Sequence, residues 1–245
     1  MTAAVLTPPA GARRLAGLQT LAMALLVAGV SIPLSASEVV GAGWPAKLAL
    51  VGRMALLVAV AWWMLRAAGR RWADVGLRKP RRWWGVALAV VLGYLALGAL
   101  AGALHAAVLP ALGLAPPDLS AFSGLRGDLP EYLYWALPVA WGSAAIGEEL
   151  VARGFLTDRI ATLLGGEVPP GAAVFVAVVL QGLLFGACHA WQGLGGALLT
   201  AGVGVSLGLV WLWTGRNLWA AIILHGLVDF VSMTAFYTGA VGGAA

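Results

Sequence analysis

The sequence predicts an all-α protein: a polytopic bundle of seven to eight transmembrane helices enclosing a polar intramembrane cavity. Three observations predict it. Of 245 residues, 61% are hydrophobic and only 10% are charged, where an ordinary soluble domain carries about 25% charged residues. Apolar runs long enough to cross about 30 Å of hydrocarbon recur from end to end. The basic residues fall mostly in alternate connections between those runs. Together these features exclude a disordered chain and a polar nucleic-acid-binding domain. They leave too few polar side chains to cover a water-soluble globule.

The runs fall at 15–34, 47–65, 84–109, 131–164, 171–190, 197–213 and 218–238. The breaks carry turn residues: Pro45, Pro80, Pro110, Pro116-Pro117, Gly165-Gly166, Pro169-Pro170 and Thr214-Gly215-Arg216-Asn217. Residues 1–245 therefore read as one integral membrane domain. Arg13-Arg14 before the first run and Ser35-Ala36-Ser37 after it could mark a signal peptide. The apolar run exceeds the roughly 7–15 residues of a signal core, which favours an uncleaved first helix. Cys188 is the one cysteine, so no internal disulfide and no cysteine-based zinc cluster can form.

Orientation follows from Lys and Arg. With a cytoplasmic N-terminus and seven crossings, twelve basic residues lie inside: Arg13, Arg14, Arg66, Arg70, Arg71, Arg78, Lys79, Arg81, Arg82, Arg153, Arg159 and Arg216. Only Lys47, Arg53 and Arg126 lie outside. The bias predicts a multi-pass protein of the plasma (inner) membrane with its C-terminus outside. Residues 66–84 form a basic cytoplasmic loop or an interfacial helix on anionic lipid. Trp62, Trp63, Trp72, Trp83, Trp84, Trp211, Trp213 and Trp219 near the inner ends, and Trp44, Trp135 and Trp191 near the outer ends, read as interfacial belts.

Ionisable residues inside hydrocarbon cost at least about 2.5–3.5 kcal/mol each, so those retained are candidates for function. Three groups stand out: Glu148-Glu149-x-x-x-Arg153, Phe185-x-x-x-His189 and His225-x-x-x-Asp229. At i, i+4 spacing Glu149 can pair with Arg153, while Glu148 is turned about 100° away. His225 and Asp229 share the same spacing, so Asp229 can fix the imidazole tautomer. In a hairpin of 131–164 and 171–190, Glu148 stands about 24 Å above the turn and His189 about 27 Å, so the two come out level. A buried carboxylate can take a proton from water, an imidazole can orient that water, and a second polar pair can hold a tetrahedral oxyanion. That set suits amide hydrolysis by activated water. His105 stands alone in its helix and reads as structural. Gln181 and Gln192 read as interhelical hydrogen-bonding residues. Gly202, Gly204, Ser206 and Gly208 read as close helix packing.

The three groups resemble the motif set of the CPBP family, the CAAX proteases and bacteriocin-processing proteins also called the Abi family. The phrase Thr214-Gly215-Arg216-Asn217-Leu218-Trp219-Ala220-Ala221-Ile222 before His225 is similar as well. The resemblance covers about residues 130–230, which it marks as a catalytic core. Residues 1–125 match only loosely, through a Val75-Gly76-Leu77-type loop. The resemblance implies an intramembrane endopeptidase; eukaryotic relatives remove the last three residues of a prenylated CAAX protein. Carried over, it makes Glu148 the base that activates water, with His189 sharing that task. His225 and Asp229 become the oxyanion side, Glu149 and Arg153 a supporting ion pair, and Phe185 part of the second motif. Asp229 stands where relatives also carry Asn. An ionised Asp229 only accepts hydrogen bonds, so it is expected chiefly to orient His225, with a protonated Asp229 as the alternative.

The expectation is therefore a protease acting on a membrane-associated peptide or protein, including a prenylated CAAX-type tail. Its partners are the lipid bilayer and that substrate, with no nucleic acid, and its cavity is expected to open toward the cytoplasm. No cofactor is predicted; if zinc is used, its ligands are His189, His225 and Glu148. The competing functions are a non-enzymatic immunity or scaffold protein and a proton-coupled transporter using the same polar cluster.

Overall fold

The computed structural model describes residues 8–31 and 36–241. Ser35, and with it one end of the signal-cleavage alternative, lies outside the described residues. The described chain is helical, and seven long helices make up the bundle. They are α1 (Ala10–Ser31), α2 (Trp44–Ala67), α3 (83–111), α4 (129–164), α5 (Pro170–Ala187), α6 (Gly193–Trp213) and α7 (Leu218–Thr238). All but α4 are long and apolar enough to span a membrane. Even in the most enclosed of those six, only 39% of the apolar window is buried against protein. Leucines such as Leu25, Leu48, Leu95, Leu183 and Leu209 face outward. An apolar surface that large needs lipid as its solvent, so the protein is an integral, multi-pass membrane protein.

Helix α4 runs through the middle and packs against α1, α2, α5 and α7. Asp128 caps it by accepting from the Glu131 amide at 3.0 Å, and Pro130 occupies its first turn. From Trp135 to Leu156, broken only at Glu149, α4 is wound in wide π-type turns. The stretch contains Pro138, which lacks an amide to donate. Wide turns of this kind concentrate at functional sites. Phe155, Leu156, Met23, Leu57, Leu65 and Ala177 pack as one core among α1, α2, α4 and α5. A second core joins α3, α6 and α7 through Val86, Leu97, Leu207 and Leu224.

Helices α5 and α6 form an antiparallel pair that depends on glycine. A Cβ at Gly204 would meet the Gly182 Cα at 3.0 Å, and one at Gly208 would meet Val178. Small residues permit backbone contact that larger ones forbid, as the sequence suggested. At one end of the bundle the loop of Trp72–Val75 and Gly76 clamps the start of α7. The Leu218 amide donates to the Gly76 carbonyl at 3.0 Å, and Asn217 Nδ2 donates to the Arg78 carbonyl at 3.0 Å. Gly76 has φ +115°, a conformation open to glycine. The connection between α2 and α3 contains a single 3-10 turn, and Trp72, half-buried, packs against the core. Two further tryptophans depart from the belt assignment: Trp135 is 2% exposed and Trp211 is 5% exposed. Their rings fill helix contacts, whereas Trp44, Trp62, Trp63, Trp83, Trp84 and Trp213 are exposed.

Gly186→Val tests the α5–α6 contact, because a side chain there meets the Ala197 carbonyl and the Ala201 amide. The expected loss is about 1–3 kcal/mol, read as a lower thermal unfolding midpoint in detergent. An unchanged midpoint contradicts the close packing.

Candidate active site

The centre of the bundle holds a cavity of about 290 Å³ whose walls include Glu148, Phe185, His189, His225 and Asp229. Three helices supply them: α4 brings Glu148, the end of α5 brings Phe185 and His189, and α7 brings His225 and Asp229. Glu148 and His189 thus line one cavity, and the third group joins them there. A smaller apolar recess of about 60 Å³ adjoins the cavity and shares Glu148, Phe185, Cys188 and His189 with it.

Glu149 and Arg153 stand behind this wall, both fully buried. Arg153 Nη1 donates to Glu149 Oε1 at 2.8 Å. Its Nη2 donates to the Gly204 carbonyl of α6 at 3.0 Å, and its guanidinium lies over the Phe185 ring at 4.6 Å. Gln181 Nε2 donates to the same Gly204 carbonyl at 3.1 Å, which is the interhelical role anticipated for that residue. Phe185 is the hub: its ring is 4.8 Å from the His189 ring and 5.9 Å from the His225 ring.

Both imidazoles are held by one nitrogen. His189 Nδ1 donates to the Phe185 carbonyl at 2.8 Å, which leaves Nε2 to the cavity. His225 Nδ1 donates to Glu149 Oε1 at 2.8 Å, and its Nε2 faces Asp229 Oδ2 at 3.5 Å. The sequence assigned the orientation of His225 to Asp229. The shorter contact is to Glu149, 76 residues away in sequence and on another helix. Gly226 makes it possible, since a Cβ there would run into the Trp141 ring of α4.

Other wall residues were not singled out from the sequence. Arg53 of α2 lines the cavity, and its Nη1 donates to the Val30 carbonyl at 3.1 Å. It is a charged side chain within an apolar run, so the cost argument that exposed Glu148 applied equally to it. Ser143 of α4 also lines the cavity; it carries no charge, and no such signal marked it. Gln192, read from the sequence as an interhelical hydrogen-bonding residue, lines the cavity as well. His105 hydrogen-bonds the Ala101 carbonyl on the exposed face of α3.

The sequence left zinc open as an alternative. Among the described residues no three His, Cys, Asp or Glu side chains converge as a metal-holding group. One nitrogen of His225 is committed to Glu149 and the other faces Asp229. Glu148, His189 and His225 therefore line one space without forming a ligand set.

The cavity's loop-borne walls all lie at one end of the bundle. They include Pro117, Leu119, Phe122, Trp191 and Gln192. The connections at 68–82, 165–169 and 214–217 contribute nothing to it.

Residues 130–231 match the family described as type II CAAX prenyl endopeptidase Rce1-like. No curated protein and no solved structure matches the chain significantly. Arg153→Ala is expected to cost about 3–5 kcal/mol, because it strands a buried carboxylate. The double variant Glu149→Gln/Arg153→Met should recover part of that loss in a detergent unfolding assay; equal or greater loss in the double variant contradicts a buried ion pair. The matched segment contains the three polar motifs, their wall of the cavity and the ion pair behind it, and it is similar to the Rce1-like family of CAAX prenyl endopeptidases over that part of the chain.

Proposed function

We propose that this protein is an intramembrane endopeptidase that hydrolyses a peptide bond of a membrane-associated peptide or protein with a water molecule activated by Glu148. The observation that carries the reading is the sharing of one intramembrane cavity by Glu148, His189, His225 and Asp229, in a segment that matches a protease family. A prenylated CAAX-type tail is the substrate class the family suggests.

Glu148 takes a proton from the attacking water as its oxygen bonds to the carbonyl carbon. His189, tethered through Nδ1, offers Nε2 as acceptor for the other water proton and holds the nucleophile in line. The carbonyl π electrons move to oxygen, and His225 stabilises the developing negative charge. In its charged form His225 carries a proton on both nitrogens. Glu149 holds Nδ1–H, so Nε2–H is the donor on the side of Asp229 and the cavity. As the C–N bond breaks, the proton on Glu148 passes to the leaving amine, which restores the carboxylate. Asp229 sets the position of His225 Nε2, and Glu149 with Arg153 fixes the ring from behind. The donor set leads us to a mechanism without a metal.

Glu148→Gln should lower kcat by about 10²–10⁴-fold on a farnesylated CAAX peptide in detergent, with an unchanged unfolding midpoint. Full activity refutes Glu148 as the base. The wild-type protein should keep its rate in EDTA; loss on chelation that added zinc restores refutes the metal-free route. Asp229→Asn should retain most activity and Asp229→Ala should lose it. Loss in Asn with Ala unharmed contradicts the role given to Asp229.

A further inference from the structure

We propose that Arg53 and Ser143 form a carboxylate-binding subsite in the cavity wall. It holds a carboxylate of the substrate, either the C-terminal one or that of an acidic side chain, while the bond to be cut lies over Glu148. The inference rests on the endopeptidase reading for the cut, but not for the binding.

The first observation is a cation in a wall whose other charged groups are carboxylates and imidazoles. Arg53 is the one Lys or Arg among the described residues that line the cavity, beside Glu148, Asp229, His189 and His225. Its Nη1 donates to the Val30 carbonyl of α1 at 3.1 Å, which anchors one arm of the guanidinium fork. Its charge acts on Glu148 of α4 and on Cys188 at the end of α5. Gly147 makes the approach possible, because a Cβ there would run into the Met54 side chain. The backbone of α2 at Arg53 and Met54 therefore lies against that of α4 at Gly147 and Glu148.

The second observation is a buried hydroxyl that bonds to nothing. Ser143 lines the cavity and is 7% exposed, and its Oγ has no hydrogen-bond partner among the described residues. Hydroxyls elsewhere in the bundle satisfy themselves on the carbonyl four residues back: Thr20, Ser206, Ser232 and Thr234 all do so. Ser143 sits instead in the π-wound stretch of α4, five residues before Glu148. Residues i and i+5 are one turn apart in such winding, so Ser143 and Glu148 share a face. A hydroxyl buried without a partner is costly, and a ligand atom in the cavity removes that cost.

The two groups together select the ligand. A guanidinium fork matches the two oxygens of a carboxylate, and a serine hydroxyl adds a third donor. The same charge repels a substrate ammonium. At about 290 Å³ the cavity lies at the low end of small-ligand pockets, so it takes a short stretch of peptide. An extended residue advances about 3.3 Å, which puts the bound carboxylate within a few residues of the cut.

Three farnesylated peptides of one sequence test the subsite in detergent: the free acid, the C-terminal carboxamide, and a carboxamide with Glu as its last residue. Binding is read by fluorescence anisotropy on Glu148→Gln protein, and cleavage is read on the wild type. The free acid should bind on the order of 10–100-fold more tightly than the plain carboxamide, with a matching difference in KM and a smaller one in kcat. Tight binding of the free acid alone assigns the subsite to the chain terminus, and equally tight binding of the Glu carboxamide extends it to side chains. Adding Arg53→Gln should abolish the preference, Arg53→Lys should keep part of it, and Ser143→Ala should reduce it by a smaller factor. Binding of the plain carboxamide should stay constant across these variants, which controls for folding. A plain carboxamide that binds as tightly as both acids overturns the proposal, and so does a preference that survives Arg53→Gln. A carboxylate preference in binding without cleavage by the wild type removes the endopeptidase reading and leaves the subsite standing.

Discussion

The buried contact between Glu149 and Arg153 is the constraint on which the site depends. Two full charges sit where neither touches solvent. Such a pair is tolerable only when each charge is closely matched and its remaining hydrogen-bonding capacity is used. Arg153 meets that condition in part, by reaching the Gly204 carbonyl and stacking on Phe185 while its Nε has no hydrogen-bond partner among the described residues. Glu149 accepts from both His225 and Arg153 at Oε1, and its Oε2 is left without a partner there. One ion pair thereby ties α4 to α5, α6 and α7, the helices that bring the polar motifs together. Removing either partner leaves a charge in a low-dielectric interior and also releases the ring of His225.

The packing around that pair explains the abundance of glycine. Gly204 offers its carbonyl to both Arg153 and Gln181 while lying against Gly182. Gly226 lets α7 come up to Trp141, which brings His225 within reach of Glu149. Arg153 can be long, charged and enclosed because its neighbours are small. The rigid back wall leaves Glu148 and the free nitrogens of the imidazoles to the cavity. A divided arrangement of this kind gives adjacent carboxylates in sequence different environments, and different environments are what give two like groups different tasks.

Much of this was legible because membrane burial makes polar residues conspicuous. The helix limits follow from apolar length and from Pro and Gly punctuation: the run at 47–65 lies within two to three residues of α2, and the run at 218–238 coincides with α7. The three motifs were legible for the same reason of cost. The partner of His225 was not. Sequence spacing pointed to Asp229 four residues on, whereas Glu149 arrives through a helix crossing that only packing determines. Trp135 and Trp211 were misread because a tryptophan near a helix end looks the same from the sequence whether it faces headgroups or a neighbouring helix.

The most direct measurement is the protonation pattern of the two cavity histidines by nitrogen-15 NMR of histidine-labelled protein in detergent. With three histidines in the chain, a His105→Gln variant leaves only His189 and His225 to assign. The account predicts protonated, hydrogen-bonded Nδ1 in both, and a change at His225 alone in Glu149→Gln. An unprotonated Nδ1 on His225, or a His225 signal indifferent to Glu149→Gln, would contradict it.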